Sequence, residues 1–198
     1  LLPDGNFGIV VADVCGHGVG AAMLMTSIRA YMVSAIENYS DPAHLLGAVK
    51  RNLAKDCAVS GNFASVFFLE IDPRERSLQW VRAGHEAAIH FSCSTGKFNE
   101  LSGPGIVLGI DGAFQFTNQS KTGLKQGDIF LIGTDGIPET TNEEGELFGK
   151  EMLKQVIADN AHHSSQKMVR DIVENVQQYR NGLSQEDDIT LVAIKIED

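Results

Sequence analysis

Val10-Val11-Ala12-Asp13-Val14-Cys15-Gly16-His17-Gly18-Val19-Gly20-Ala21-Ala22 reads as an apolar strand ending in a carboxylate, then a glycine loop, then the start of a helix of small residues. Two folds can begin this way. Gly16-His17-Gly18-Val19-Gly20-Ala21 satisfies the loose G-x-G-x-x-A pattern of a nucleotide-binding βαβ unit. That unit wants an acidic residue about 20 positions on, at the end of a second parallel strand. At that distance stand Tyr39-Ser40-Asp41, and Asp41-Pro42 is instead a helix start, an N-cap followed by proline at the first helical position. No parallel strand returns, so a nucleotide-binding domain is the lesser alternative.

Working outward, Pro3-Asp4-Gly5-Asn6 is a turn signal and Phe7 to Ala12 a strand. From Gly18 to Tyr39, Ala21, Leu24, Met25, Ile28, Met32, Ala35 and Ile36 recur at helical spacing. Leu45, Leu46, Val49 and Leu53 mark a second amphipathic helix, giving a helical pair. Ala64 to Ile71 and Ser77 to Ala83 flank a turn, as do Ala87 to Phe91 and Lys97 to Leu101, so two hairpins follow. Phe114 to Asn118 and Ile129 to Ile132 are expected as further strands. Lys150 to Ala158 and Ser165 to Arg180 are expected as helices, and Ile189 to Ile196 as the last strand. Helices early and late around consecutive hairpins indicate an α+β fold with mainly antiparallel sheet.

A formal charge of −10 argues against nucleic acid as a partner, because such a footprint is basic. Cys15, Cys57 and Cys93 are odd in number and widely spaced, which suits a reducing cytoplasm rather than a disulfide framework. No apolar run approaches a membrane span, and no membrane contact is expected. The first residues look like the interior of a longer protein, with upstream sequence expected.

Three apolar strands carry aspartate at their ends: Asp13 after Ile9–Ala12, Asp135 after Phe130–Ile132, and Asp187 before Ile189–Val192. One such acid is an ordinary turn residue. Three converging on one rim repel unless cations intervene. Oxygen-only ligands suit magnesium or manganese rather than zinc, and two such ions can activate water and clamp a phosphoryl oxygen.

The residues around these acids are also familiar. Ala12 to Gly18 resembles the GDVSGHG signature of bacterial metal-dependent protein serine/threonine phosphatases, in the branch of stage II sporulation protein E. Ala83-Gly84-His85 resembles that branch's AGH motif. Gly127-Asp128 through Thr134-Asp135-Gly136-Ile137-Pro138-Glu139-Thr140 to Gly145-Glu146-Leu147-Phe148-Gly149 resembles its TDG…GE.FG block, and Glu186-Asp187-Asp188-Ile189-Thr190-Leu191 its closing DDITL. The four blocks span nearly the whole chain in the family's order.

The resemblance implies a four-layer α-β-β-α sandwich, two mainly antiparallel sheets flanked by helix pairs, as one domain over residues 1–198. It implies two Mn2+ or Mg2+ ions, with Asp13 bridging both and the Val14 carbonyl as a further ligand. Asp135 and Asp187 would hold one ion, and Asp188 would be a neighbour reaching metal through water. The implied reaction is hydrolysis of phosphoserine or phosphothreonine on a partner protein by a metal-bridging hydroxide. The partner would be an antagonist in the control of alternative sigma factors, with a sensor or regulatory domain upstream.

Two departures stand against the family pattern. The GGDYYD-like block that family members carry just before the segment resembling Leu2–Gly5 lies outside this sequence, which motivates the alternative of a catalytically weak or inactive interaction domain. Cys15 replaces a serine. His17 lies four residues after Asp13, not two as in the eukaryotic relatives' catalytic histidine, so it is read as shaping the loop. His85 is expected to be a hydrogen-bonded structural histidine. His162, His163, Glu139, Glu143, Glu144 and Glu146 are expected to be solvated, and Trp80 to lie in the core.

Overall fold

Asp41 and Pro42 act as their chemistry requires: the Asp41 carboxylate accepts the His44 N–H at 2.9 Å and proline takes the first position of helix Pro42–Ser60. The computed structural model describes every residue except Glu186 and Asp198, and of residues 58–60 the backbone only. In chain order the elements are β1 Phe7–Val14, α1 Val19–Ile36, α2 Pro42–Ser60, β2 Ala64–Asp72, β3 Ser77–Ala83, β4 Ala88–Ser92, β5 Lys97–Leu101, β6 Gln119–Lys121, β7 Ile129–Gly133, α3 Gly149–Asp159, α4 Ser165–Arg180 and β8 Leu191–Lys195. Among the described residues, two antiparallel four-stranded sheets and four helices make this an α+β fold.

The chain divides into two compact units. The first holds residues 1–87 and 102–123, with strand order β1-β2-β3-β6. Its helix pair covers one face of the sheet. Leu24, Ile28 and Met32 of α1 and Leu45, Leu46, Val49 and Leu53 of α2 share a core with Val66 and Phe68 of β2 and Val81 of β3. Side chains alternate across a strand, so Val11 and Asp13 occupy one face of β1 and Val10, Ala12 and Val14 the other. The second face lines an apolar cavity of about 350 Å3 together with Met25, Ile28 and Phe68.

A buried carboxylate ties the start of this unit together. Glu70 accepts the Asn6 side chain at 2.7 Å and the Tyr39 hydroxyl at 2.6 Å. Burial, then the bond to Glu70, pushes the Tyr39 phenol well above its ordinary range.

The second unit holds residues 88–101 and 124–198, with strand order β5-β4-β7-β8. Ile89 and Phe91 of β4 and Ile129 and Leu131 of β7 pack with Leu153, Val156 and Ile157 of α3 and Met168, Ile172 and Val176 of α4. On the opposite face of β7, Phe130 and Ile132 are fully buried, and His90 stacks on Phe130 at 4.6 Å between ring centres.

Five expectations need correction. Phe114 to Asn118 is not a strand, despite its alternating pattern. Phe114 and Phe116 sink into the first core, the Lys50 amine hydrogen-bonds the Phe114 carbonyl, and the Asn118 side chain bridges the Ala43 N–H and Asp41. These bonds from α2 and its cap take the backbone away from a sheet, and the strand forms afterwards, pairing Gln119–Lys121 with β3. The last strand starts at Leu191 rather than Ile189, because the Thr190 N–H is taken by the Thr134 hydroxyl at 3.0 Å.

His163 is half-buried rather than solvated. Its Nδ1 lies 2.7 Å from Asp171, whose carboxyl is held below its ordinary range by the Lys167 ammonium first and by His163. Finally, α1 is long and apolar enough, by length and composition alone, to cross a membrane. Its small residues raise its apolar content without adding large buried side chains. Leu24, Ile28 and Met32 turn into the first core, whereas Met25, expected on the same face, is exposed.

Candidate metal centre

Each acid singled out from the sequence sits where a strand gives way to a loop. Asp13 is exposed on β1, opposite Ser65 of β2. One residue on, Val14 is half-buried against the first core. The β1–β2 pairing continues one step further, with the Cys15 N–H donating to the Phe63 carbonyl at 3.0 Å and the Phe63 N–H reaching the Cys15 sulfur at 3.1 Å. The loop then turns through Gly16 and Gly18, at φ +81° and +82°, conformations that favour glycine. His17 between them is exposed. α1 starts at Val19 with no side chain capping its first turn.

In the second unit the rim is built by a clip between β7 and β8. The Thr134 N–H donates to the Thr190 carbonyl at 3.1 Å, and the Thr134 hydroxyl donates to the Asp188 carbonyl at 3.0 Å while accepting from the Thr190 N–H. Asp135 follows, half-buried, and opens a helical turn in which the Glu139 N–H bonds its carbonyl at 2.9 Å. Gly136 packs so tightly that a Cβ there would stand 2.6 Å from the Asp188 carbonyl oxygen. The Asp135 and Asp187–Asp188 segments are therefore drawn together by the Thr134 hydroxyl and by the close backbone approach that Gly136 allows.

Asp187 and Asp188 are exposed, and one oxygen of the Asp187 carboxylate accepts the Asp188 N–H at 2.7 Å. Gln185 donates to the Asp187 carbonyl at 2.8 Å. Glu186, the first residue of the closing block, lies outside the described residues.

Asp13 thus belongs to the first unit, and Asp135, Asp187 and Asp188 to the second. Among the described residues no three His, Cys, Asp or Glu side chains are gathered as a metal cluster. The donor chemistry nevertheless fits a hard divalent cation, because it consists of carboxylate and carbonyl oxygens. A structural reason for keeping Asp135 beside Asp187 and Asp188 is also present, in the space that only glycine leaves at position 136.

The histidines divide as their surroundings dictate. His85 is buried, with Nδ1 3.2 Å from the Glu86 carbonyl and its own carbonyl accepting from Arg82 at 3.0 Å. Gly84 before it has φ +74°, and a Cβ there would stand 2.4 Å from Val107. The Ala83-Gly84-His85 motif is a packing device. Glu139, Glu143, Glu144 and Glu146 are exposed, and Trp80 is buried with its indole N–H on the Ser102 carbonyl at 2.8 Å.

Sequence reasoning missed two residues of this rim. Thr134 has no assigned role beyond its place in the motif, yet its hydroxyl closes the clip. Arg180, at the end of α4, carries no local signal at all.

Comparison with known proteins agrees over the whole chain. The sequence profile of the stage II sporulation protein E (SpoIIE) family matches residues 3–197. Phosphoserine phosphatase RsbU of Bacillus subtilis (strain 168) is 27% identical over 190 residues, covering 96% of this chain and 56% of RsbU. The chain therefore spans about half the length of that relative. Among solved structures, the SiaA PP2C domain of Pseudomonas aeruginosa superposes with a TM-score of 0.83 at 23% identity, covering 98% of this chain and 81% of that one. The catalytic domain of the serine/threonine protein phosphatase PstP, solved with two manganese ions, superposes at 0.62 with 13% identity, covering 97% and 88%. These likenesses establish the fold, and the profile match across residues 3–197 establishes the family: the chain belongs to the stage II sporulation protein E (SpoIIE) family.

Proposed function

We propose that this chain hydrolyses phosphoserine or phosphothreonine on a partner protein, using two Mn2+ or Mg2+ ions held by Asp13, the Val14 carbonyl, Asp135 and Asp187, with Asp188 as their neighbour. The observation that carries the reading is the clip in the second unit. Thr134 and Gly136 hold the Asp135 loop hard against the Asp188 carbonyl, an arrangement with no evident purpose in a simple strand end. Support from outside comes from RsbU, named a phosphoserine phosphatase, and from the PstP domain with its two manganese ions.

When bound, the ions supply Lewis-acid charge and lower the pKa of water enough to give a nucleophile near neutral pH. The chain's own residues prepare that site. Asp13 presents its carboxylate at the end of a strand paired over its whole length with β2. Asp187 has one carboxylate oxygen tied to the Asp188 N–H, which fixes its orientation before a cation arrives. Asp187 and Asp188 are adjacent like charges in a chain already at −10, which a cation would offset. His17 shapes the loop between two left-handed glycines, and no proton transfer is assigned to it. The phosphoprotein is proposed to be an antagonist in sigma-factor control, met in the cytoplasm, with regulation from a domain upstream.

The test is manganese-dependent release of phosphate from a phosphoserine protein. Asp13→Asn and Asp135→Asn should each abolish it. Release that survives both substitutions, or that persists after exhaustive chelation, would overturn the assignment.

A further inference from the structure

Beside the Asp135–Gly136 turn the second unit has a small polar cavity of about 80 Å3, room for a few water-sized groups. Arg180 reaches into its wall from the last turn of α4, with Gly136, Thr140, Thr141, Ser184 and Asp187 among its neighbours there. The guanidinium is incompletely used. Its Nη1 donates to Gln185 at a long 3.3 Å, whereas its Nε is buried and has no hydrogen-bond partner among the described residues.

A buried charged donor left without an acceptor is costly, so such a group usually waits for one. The helix end does not explain it. The Arg180 carbonyl is already occupied by the Leu183 N–H, and Asn181 at φ +48° ends the helix. An oxyanion matches the guanidinium's planar fork of donors, which a neutral group with a single acceptor cannot fill.

We propose that Arg180 is the anchor of an oxyanion subsite that takes a phosphate group, with the Thr141 and Ser184 hydroxyls lining it. Glu139 and Asp187 also line the cavity and repel an anion, so the subsite fills when divalent cations offset the carboxylates. Its use for the substrate's phosphoryl group or the released phosphate rests on the function proposed above; its capacity to bind phosphate does not. Arg180 then acts in binding more than in the chemical step.

Titration calorimetry of inorganic phosphate into the protein with saturating Mg2+ tests this directly. Arg180→Ala should weaken phosphate binding by about tenfold to 100-fold, the usual loss for a charge-assisted bond. Arg180→Lys keeps the charge but loses the fork, and should still bind at least several-fold more weakly than the native protein. Arg170→Ala, exposed on the same helix, should bind as the native protein does. With a phosphoserine protein as substrate, Arg180→Ala should raise KM by a similar factor and leave kcat within about threefold, as expected for uniform binding.

Phosphate affinity unchanged in Arg180→Ala, or an equal loss in Arg170→Ala, would overturn the subsite. So would a parallel loss of Mg2+ affinity, which would make Arg180 a support for Asp187 alone. If Arg180→Ala does not fold, Arg180→Lys decides: native phosphate affinity there refutes the proposal. Arg180-dependent phosphate binding in a protein that releases no phosphate from any phosphoserine substrate would defeat the proposed function and leave the subsite standing.

Discussion

Gly136→Ala is the sharpest probe of the clip between β7 and β8. The added Cβ would stand 2.6 Å from the Asp188 carbonyl oxygen, about 0.8 Å inside the 3.4 Å at which ordinary contact begins. That oxygen belongs to the backbone and cannot rotate away, and it also accepts the Thr134 hydroxyl at 3.0 Å. Relief must come from moving the Asp135 turn or the Asp187–Asp188 segment, which strains the three bonds through Thr134. Overpacking of this kind costs about 1–3 kcal/mol, and a displacement near 1 Å at a reacting centre lowers turnover on the order of 100-fold.

Urea unfolding should show the stability loss, and titration with Mn2+ should show weakened cation affinity in the same variant. The comparison variant is Gly20→Ala, where a Cβ would meet nothing within 4 Å inside α1. It should be stabilised by roughly 0.5–1 kcal/mol, because glycine is a poor helix residue. Gly136→Ala with native stability and native Mn2+ affinity would refute the reasoning that backbone contact positions these acids.

Other expectations follow from the same geometry. Tyr39→Phe removes one donor from the buried Glu70 carboxylate and should cost about 1–3 kcal/mol in chemical denaturation. Asp41→Ala removes the cap of α2 and the link to Asn118, a loss of about 1–2 kcal/mol. The Asp41 carboxyl is lowered from 3.8: burial opposes this, but the bonds from Asn118, the His44 N–H, Ser40 and the Ala43 N–H outweigh it. A lowered folded-state pKa contributes stability above the unfolded value, lost as pH falls through the folded one. Melting temperatures of the native protein and Asp41→Asn should therefore converge below about pH 4, the unfolded carboxylate range; a gap of constant size down to pH 2 would sink the assignment. Phe116→Ala should cost about 3–5 kcal/mol if the loop is anchored by its aromatic pair, as measured by thermal unfolding.

What the sequence made legible was local chemistry. Asp41-Pro42 announces α2 because an N-cap and an N1 proline need nothing beyond their own backbone. The hairpins Ala64–Ala83 and Ala88–Leu101 were readable from alternation bounded by turns. Phe114–Asn118 misled for the opposite reason. Its alternation is real, yet the donor that takes up the Phe114 carbonyl is the amine of Lys50, 64 residues away, which no local pattern reveals.

The candidate acids were legible because each follows or precedes an apolar strand, and the four family-like blocks placed them in order. The Thr134 clip and the Arg180 side chain were not. Both depend on where a neighbouring backbone or cavity lies after folding, a tertiary fact that leaves no trace in composition or period. His163 belongs with them, since its partner Asp171 sits two turns into α4.

β1 is paired with β2 along its whole length, from Phe7 opposite Ile71 to Val14 opposite Ala64. In an antiparallel pair, amides along such a strand point alternately toward the partner and away from it. Isotope exchange at those amides of Phe7–Val14 that point toward β2 should therefore be slow, because each must wait for the ladder to open. Asp13 is carried on that ladder. The carboxylate at the centre of the proposed chemistry is thus borne by a strand clasped to β2, and exchange at the amides of that clasp reads out whether it tightens when cations bind.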